Sequence, residues 1–249
     1  MLRVSVVVPA LNEAANLPHV LPRTPRLPEI VEVILVNGAS TDGTSDVARA
    51  LLPSIRIVDQ GGRGKGNAVR CGALAAEGDY FLVMDADGSH RPEEIPLYIE
   101  MAQQGYEMIK GCRYLQGGGT DDETLDRGIM VRLVDIVANM LWGTDFTDMA
   151  YGMFMIDRQK FLGLDLTADH FDIEWEVLIK AKRAGLRIAR VPAHEASRIH
   201  GRSHLTYRRD GWLIFKTVVR EGFLGLRERV VNGRRSVDVA DAMRRQRLP

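Results

Sequence analysis

The chain has 249 residues, with 33 Lys and Arg balanced by 33 Asp and Glu and an apolar fraction of 45%. That length buries the core of one α/β domain, and the cancelled charge leaves no global field to draw nucleic acid. Two cysteines, Cys71 and Cys112, give no disulfide framework, and no stretch approaches the ~18 apolar residues that cross a bilayer. With no basic leader ahead of the first strand, the expected location is cytoplasmic, at most peripheral to a membrane.

In chain order, Val4–Val8 is predicted as a strand, and a helix begins within Asn12–Leu21 and ends at the prolines 22, 25 and 28. Val31–Val36 is a strand, and Thr41–Leu51 a helix entered through a Gly-Ala-Ser-Thr-Asp-Gly turn. Ile55–Val58 is a strand and Lys65–Ala76 a helix. The apolar run Tyr80–Met84 is a buried strand that ends in Asp85-Ala86-Asp87. Pro92–Gln104 is a helix and Met108–Gly111 a strand. Four β-α steps imply a mostly parallel sheet with right-handed crossovers. Gln116–Glu123 is a Gly/Asp loop with the character of a mobile segment, and Arg127–Leu141 carries apolar residues at helical spacing. Tyr151–Ile156 is a strand, Glu174–Ala184 a helix and Ile188–Val191 a strand. Gly211–Arg229 is an amphipathic helix, favoured as packing on the core over lying on a bilayer. The chain divides into a nucleotide half to residue 115, a closing and acceptor half over 116–232, and a basic tail, 233–249, expected to fray.

Asp85 and Asp87 are two hard oxygen donors at the carboxyl edge of a strand, where open α/β sheets bind ligands. They suit Mg²⁺ or Mn²⁺ and leave coordination positions for a diphosphate. Pro9 and Glu13 end the first strand, where a loop backbone and a carboxylate can hold a ribose or base edge. Asp42, in the turn after the second strand, reads equally as a helix cap. Lys65 lies between Gly64 and Gly66 at a helix start, where glycines allow close approach and the helix terminus favours an anion such as diphosphate.

Several segments combine into one pattern: Val6-Val-Val-Pro-Ala-Leu-Asn-Glu13, Val36-Asn-Gly-Ala-Ser-Thr-Asp-Gly-Thr44, Gly64-Lys-Gly66 with Gly72, and Met84-Asp-Ala-Asp-Gly-Ser-His90. Gly111-Cys-Arg-Tyr114, Thr147-Asp148 and Arg198-Ile-His-Gly-Arg-Ser203 complete it. The chain thereby resembles family 2 glycosyltransferases of the GT-A fold, nearest to the polyprenyl-phosphate (dolichyl-phosphate) mannose or glucose synthases. The resemblance implies that Asp87 binds the divalent ion, with Asp85 near ribose and metal across Ala86. It offers Ser89, His90 or His200 to complete the shell. It places Asp148 near the reacting sugar carbon, where a base would act, and offers Glu174 and Glu176 of Asp172-Ile-Glu-Trp-Glu176 on the acceptor side, one of the two as base and the other as sugar-hydroxyl ligand. Arg113, Arg127 and Arg132 match arginines that relatives use on a phosphate group.

The chain departs from the family pattern at three points. The usual Asp-Asp-Gly-Ser is Asn37-Gly38-Ala39-Ser40, which removes the carboxylate that reads the base edge and opens the choice between GDP and UDP. The Ser-Asp-x-x-x-Gly-Phe-Arg region is Thr147-Asp148-Met-Ala-Tyr-Gly-Met-Phe154, with the terminal arginine lost. The closing Gly-x-Ser-Lys is Gly201-Arg-Ser-His204, where a titratable ring replaces a phosphate-meeting lysine. The expected function is metal-dependent transfer of a hexose from a nucleotide sugar, GDP-linked in preference to UDP-linked, to a hydroxyl or phosphate acceptor. Two alternatives stand beside it. One is a nucleotide-sugar isomerase of the pyranose/furanose mutase type using the same donor site, and the other a non-catalytic nucleotide-sugar binder. Pairing of two copies through 211–229 is an open option for a homodimer.

Overall fold

The computed structural model describes residues 1–121, 132–133, 135–140, 147–202 and 209–222. Four strands are each followed by a helix: β1 (Val4–Ala10) and α1 (Leu17–Val20), β2 (Ile30–Asn37) and α2 (Thr44–Leu51), β3 (Arg56–Asp59) and α3 (Lys65–Ala75), β4 (Tyr80–Val83) and α4 (Ile95–Gln103). Then come β5 (Met108–Cys112), β6 (Gly119–Thr120), the helical residues 135–140 (α5), β7 (Phe154–Asp157), α6 (Arg158–Leu162), α7 (Ile173–Arg183), β8 (Ile188–Pro192) and β9 (His194–Glu195). A last helix, α8, covers residues 209–222. Seven strands form one sheet in the order β3-β2-β1-β4-β7-β5-β8. All run parallel except β7, which lies antiparallel between β4 and β5.

Side chains alternate across each strand, so a strand buried on both faces feeds two cores. Val7, Ile34, Val36, Phe81 and Val83 face one core, with Val69 of α3 and Val177 of α7. Val4, Val6, Val8, Leu35 and Leu82 face the other, with Leu17 of α1 and Ile95 and Tyr98 of α4. This doubly covered sheet is the α/β architecture the sequence predicts. It delivers the carboxyl ends of β1, β2 and β4 and the start of α3 to one edge.

Three expectations are corrected, and the core packing expected of the last helix is kept. The first helix begins at Leu17 because residues 11–14 are tied to the turn after β2: Asn12 N donates to Ser40 Oγ (2.9 Å) and Ala14 N to Asp42 Oδ2 (3.0 Å). The loop predicted over Gln116–Glu123 is held at its centre, where Gly119–Thr120 pairs in parallel with His194–Glu195. The predicted strand Tyr151–Ile156 starts at Phe154, since Asp148 with φ 63° turns the chain just before it. Helix α8 buries Ile214, Thr217, Val218 and Glu221 while Trp212 and Phe215 stay exposed, so it packs on the core through one face. Among the described residues no helix is long and apolar enough to cross a membrane. The tail 233–249 lies outside the described residues.

Gly72 sets how closely α3 approaches the sheet, because a Cβ there would overlap Val7 Cγ1 and sit 3.2 Å from Val7 Cγ2. Gly72→Ala should therefore destabilise by about 1–3 kcal/mol from overpacking, outweighing the roughly 1 kcal/mol that alanine adds to a helix interior. Gly61, whose Cβ would meet nothing within 4 Å, is the control. Urea denaturation of Gly72→Ala and Gly61→Ala checks this, and equal midpoints would remove the packing argument.

Candidate functional site

The apolar side chains of β4 end at Met84, and the chain then turns outward, presenting Asp85 and Asp87 on either side of buried Ala86. Lys65, first residue of α3, reaches across to them. Its Nζ lies 2.7 Å from Asp85 Oδ1 and 2.7 Å from Glu174 Oε1 at the start of α7. Burial works to lower the lysine pKa, but Asp85 and Glu174 override it and hold the ammonium charged. Burial likewise works to raise Asp85, and Lys65 overrides it, so the carboxylate stays ionised. Asp87 Oδ1 accepts from Ser89 N (3.0 Å) and Ser89 Oγ (2.6 Å). His90, kept neutral chiefly by burial, accepts the Asp85 backbone N–H on Nδ1 at 2.9 Å. Ser89 and His90 thus orient the two acids.

Glycines 64 and 66 have a different use from the predicted one. A Cβ on Gly64 would overlap the Asp169 carbonyl oxygen, and one on Gly66 the Ala168 carbonyl oxygen. The Asn67 N–H already donates to Asp169 O at 3.2 Å. The close approach these glycines permit is that of the 168–170 loop. Lys65 itself remains the cation at this edge.

A strap over residues 196–201 covers Asp87. Ala196 N donates to Ser89 O (2.8 Å), Ile199 N to Asp87 O (3.2 Å), and Ile199 packs where a Cβ on Gly88 would sit. Arg198 bridges Asp87 Oδ2 (3.0 Å) and Glu13 Oε1. Glu13, whose pKa burial raises, also accepts from Asn16 Nδ2 at 2.5 Å. Asn16 Oδ1 accepts the His200 N–H at 2.8 Å, and the His200 ring stands 5.5 Å from that of His19. Among the described residues no three His, Cys, Asp or Glu are gathered for a metal ion, so His200 is not brought to the Asp85/Asp87 pair. Arg198 is the functional candidate that sequence reasoning passed over here. It lay inside the closing motif, and only the fold brings it to Asp87.

At the neighbouring strand ends, Pro9 pairs with Val36 in the ladder, and Gly38 N donates to Ala10 O at 2.8 Å. A Cβ on Gly38 would lie 3.1 Å from Gln60 Oε1. Asp42 accepts from Thr44 N and Ala14 N, both at 3.0 Å, which makes it the tie between two loops. Asn37 Oδ1 is taken by Ser40 N (3.0 Å), while its Nδ2 donates to Asp59 Oδ1 at 3.2 Å. The carboxylate missing from β2 is therefore present one strand over, at the exposed end of β3.

The residues expected on the acceptor side separate. Asp148 is fully buried and accepts from Arg113 N (2.7 Å) and Nε (2.9 Å) on Oδ2 and from Arg113 Nη2 on Oδ1. Arg113 Nη1 donates to Glu195, and the Asp148 N–H donates to Asp135 Oδ2 at 2.8 Å. Glu174 joins Lys65, but Glu176 does not. Two positions along a helix differ by about 200°, which turns Glu176 away from the edge. There it binds Thr167 N (2.9 Å), Ala168 N (2.7 Å) and Arg220 (2.8 Å), fastening the 167–168 loop and α8 to α7. Arg132 lies over the Tyr114 ring at 5.2 Å. Arg127 and His204 lie outside the described residues.

Asp135 holds the turn that carries Asp148 and Met149, and burial, followed by the charge of Asp148, pushes its pKa up to about 6. A raised carboxyl pKa contributes stability that is complete below the ordinary value of 3.8 and is lost as pH rises through about 6. Relative to Asp135→Asn, the wild-type protein should lose unfolding free energy between about pH 4 and about pH 7. Urea titrations across that range check the sign, and parallel curves for the two proteins would refute it.

Over residues 5–163 the chain matches the family described as Glycosyl transferase family 2. It is 29% identical over 252 residues to the dolichol-phosphate mannosyltransferase of Pyrococcus furiosus, covering 93% of this chain and 70% of that protein. It is 27% identical to the undecaprenyl-phosphate mannosyltransferase of Micrococcus luteus, covering 92% and 96% of the two chains. In three dimensions it resembles glucosyl-3-phosphoglycerate synthase of Mycobacterium tuberculosis, solved with Mn²⁺, UDP-glucose and phosphoglyceric acid. There the TM-score is 0.70 at 22% identity, over 89% of this chain and 80% of that one. The match runs from β1 through Asp148 and β7, and on it the chain belongs to glycosyl transferase family 2.

Proposed function

We propose that this glycosyltransferase moves a hexose from a nucleotide sugar, GDP-linked in preference to UDP-linked, to a hydroxyl or phosphate acceptor with Mg²⁺ or Mn²⁺. The observation that carries the reading is the pair Asp85 and Asp87, held together at the end of β4 by Lys65 and Arg198. Two carboxylates, each facing a side-chain cation, are a donor set that fits a hard divalent ion. Asp85 and Asp87 would hold that ion, which supplies Lewis-acid charge to the departing diphosphate. Lys65 and Arg198 are the cations within reach of the diphosphate oxygens. Pro9, Glu13, Asn37, Gly38 and Asp42 shape the nucleotide end. Of the acids predicted on the acceptor side, Glu174 alone shares the chamber of Asp85, so general-base work is assigned to Glu174. Asp148 orients Arg113.

The preference for GDP rests on Asp59. Guanine offers two adjacent donors on its Watson–Crick edge and uracil one, and a carboxylate fork suits the pair. The named activities of the Pyrococcus and Micrococcus relatives support a phosphate acceptor, and the Mn²⁺ of the mycobacterial synthase complex supports the divalent ion.

The test incubates the protein with Mn²⁺ and a panel of GDP- and UDP-sugars, alone and with polyprenyl phosphate or small hydroxylated acceptors, and follows products by ion-pair chromatography with mass detection. Nucleoside diphosphate release, with acceptor-dependent acceleration, is expected from the wild type and not from Asp87→Ala. A new peak of unchanged mass would convert the reading to an isomerase. In the same assay, Asp59→Asn should weaken GDP-sugar use by roughly tenfold and leave UDP-sugar use within about threefold. An equal effect on both bases would remove Asp59 from base selection.

A further inference from the structure

Lys110 is 2% exposed in the middle of β5, a strand buried along its whole length. Among the described residues its Nζ has one hydrogen-bond acceptor, the backbone carbonyl of Tyr151. Burial lowers its pKa, against the opposing pull of Glu174 and Asp148. A lysine so placed is costly to a fold. Its partner in the antiparallel ladder is Phe154, with Nζ 6.0 Å from that ring. Phe154 is the position at which the family pattern ends in arginine.

The carbonyl held by Lys110 belongs to the residue before Gly152, and Gly152 backs the donor chamber. A Cβ there would lie 2.7 Å from Lys65 Nζ, 3.0 Å from Asp85 Oδ2 and 3.0 Å from Glu174 Oε1. We infer that Lys110 is a positioning residue for the transfer reaction: it supplies from β5 the cation that β7 lacks at Phe154 and fixes the Tyr151–Gly152 segment, which follows the Asp148–Tyr151 turn, against Lys65, Asp85 and Glu174. The inference rests on the proposed function for the reaction it serves, and on geometry alone for the turn.

The test compares wild type, Lys110→Met and the swap Lys110→Met/Phe154→Arg by hydrogen–deuterium exchange over residues 148–153, melting temperature and nucleotide-sugar turnover. Lys110→Met removes the charge at nearly constant length. It should speed exchange in that segment and lower kcat by about tenfold or more, with donor KM within about threefold, while melting no lower than wild type. The swap should return exchange and turnover toward wild type. Wild-type exchange in Lys110→Met overturns the inference whatever turnover does. A melting temperature that falls in step with turnover assigns Lys110 to stability alone and overturns it as well. A folded swap that exchanges as fast as Lys110→Met breaks the link to Phe154. If the wild type releases no nucleoside diphosphate from any nucleotide sugar, the proposed function fails, and exchange still decides what Lys110 does.

Discussion

One buried ammonium joins the two halves of this protein at their working edge. Lys65 belongs to α3 in the N-terminal half of the chain, Asp85 to the end of β4, and Glu174 to α7 in the C-terminal half. Without the lysine, two carboxylates would face each other across the chamber with nothing between their like charges. With it, the two like charges are bridged and the start of α7 is drawn onto the sheet edge. The glycines beside Lys65 serve the same closure, since they let the 168–170 loop lie against α3.

The same alternation of sign continues outward. Arg198 stands between Asp87 and Glu13, and Arg113 between Asp148 and Glu195. Few of these charges reach bulk water, so each is held by a partner of opposite sign and not by hydration. A ligand that arrives with its own charges can then exchange partners with Lys65 or Arg198. Dipoles and charges fixed in advance lower the reorganisation needed when charge moves, which is the main electrostatic resource of an enzyme site.

The strand and helix succession was legible because buried parallel strands are apolar runs and the helices between them carry caps and breakers. The direction of β7 was not. An apolar run such as Phe154–Ile156 looks the same whichever way it crosses the sheet, and only its place between β4 and β5 makes it antiparallel. At the site, Asp85, Asp87 and Lys65 were legible because each sits at an element end with a local signature. Glu174 and Glu176 looked equivalent until the helix turned one inward and the other toward Thr167 and Arg220. Arg198, Asp59 and Lys110 depend on contacts between residues far apart in sequence, which leave no local pattern.

Two departures from the family pattern share a physical form. Asn37 has lost a carboxylate, and its ladder partner on β3 is Asp59. Phe154 has lost a cation, and its ladder partner on β5 is Lys110. In each case the missing charge is carried by the residue directly opposite, whose side chain emerges from the same face of the sheet. Ladder partners reach nearly the same point in space, so a charge can pass from one strand to its neighbour and stay close to where it was. A motif read along a single strand then registers a loss where the sheet has kept the charge. What changes is which backbone carries it. The carboxylate now stands at an exposed strand end and the cation in a dry interior, so the two sites differ from the family pattern in hydration more than in sign.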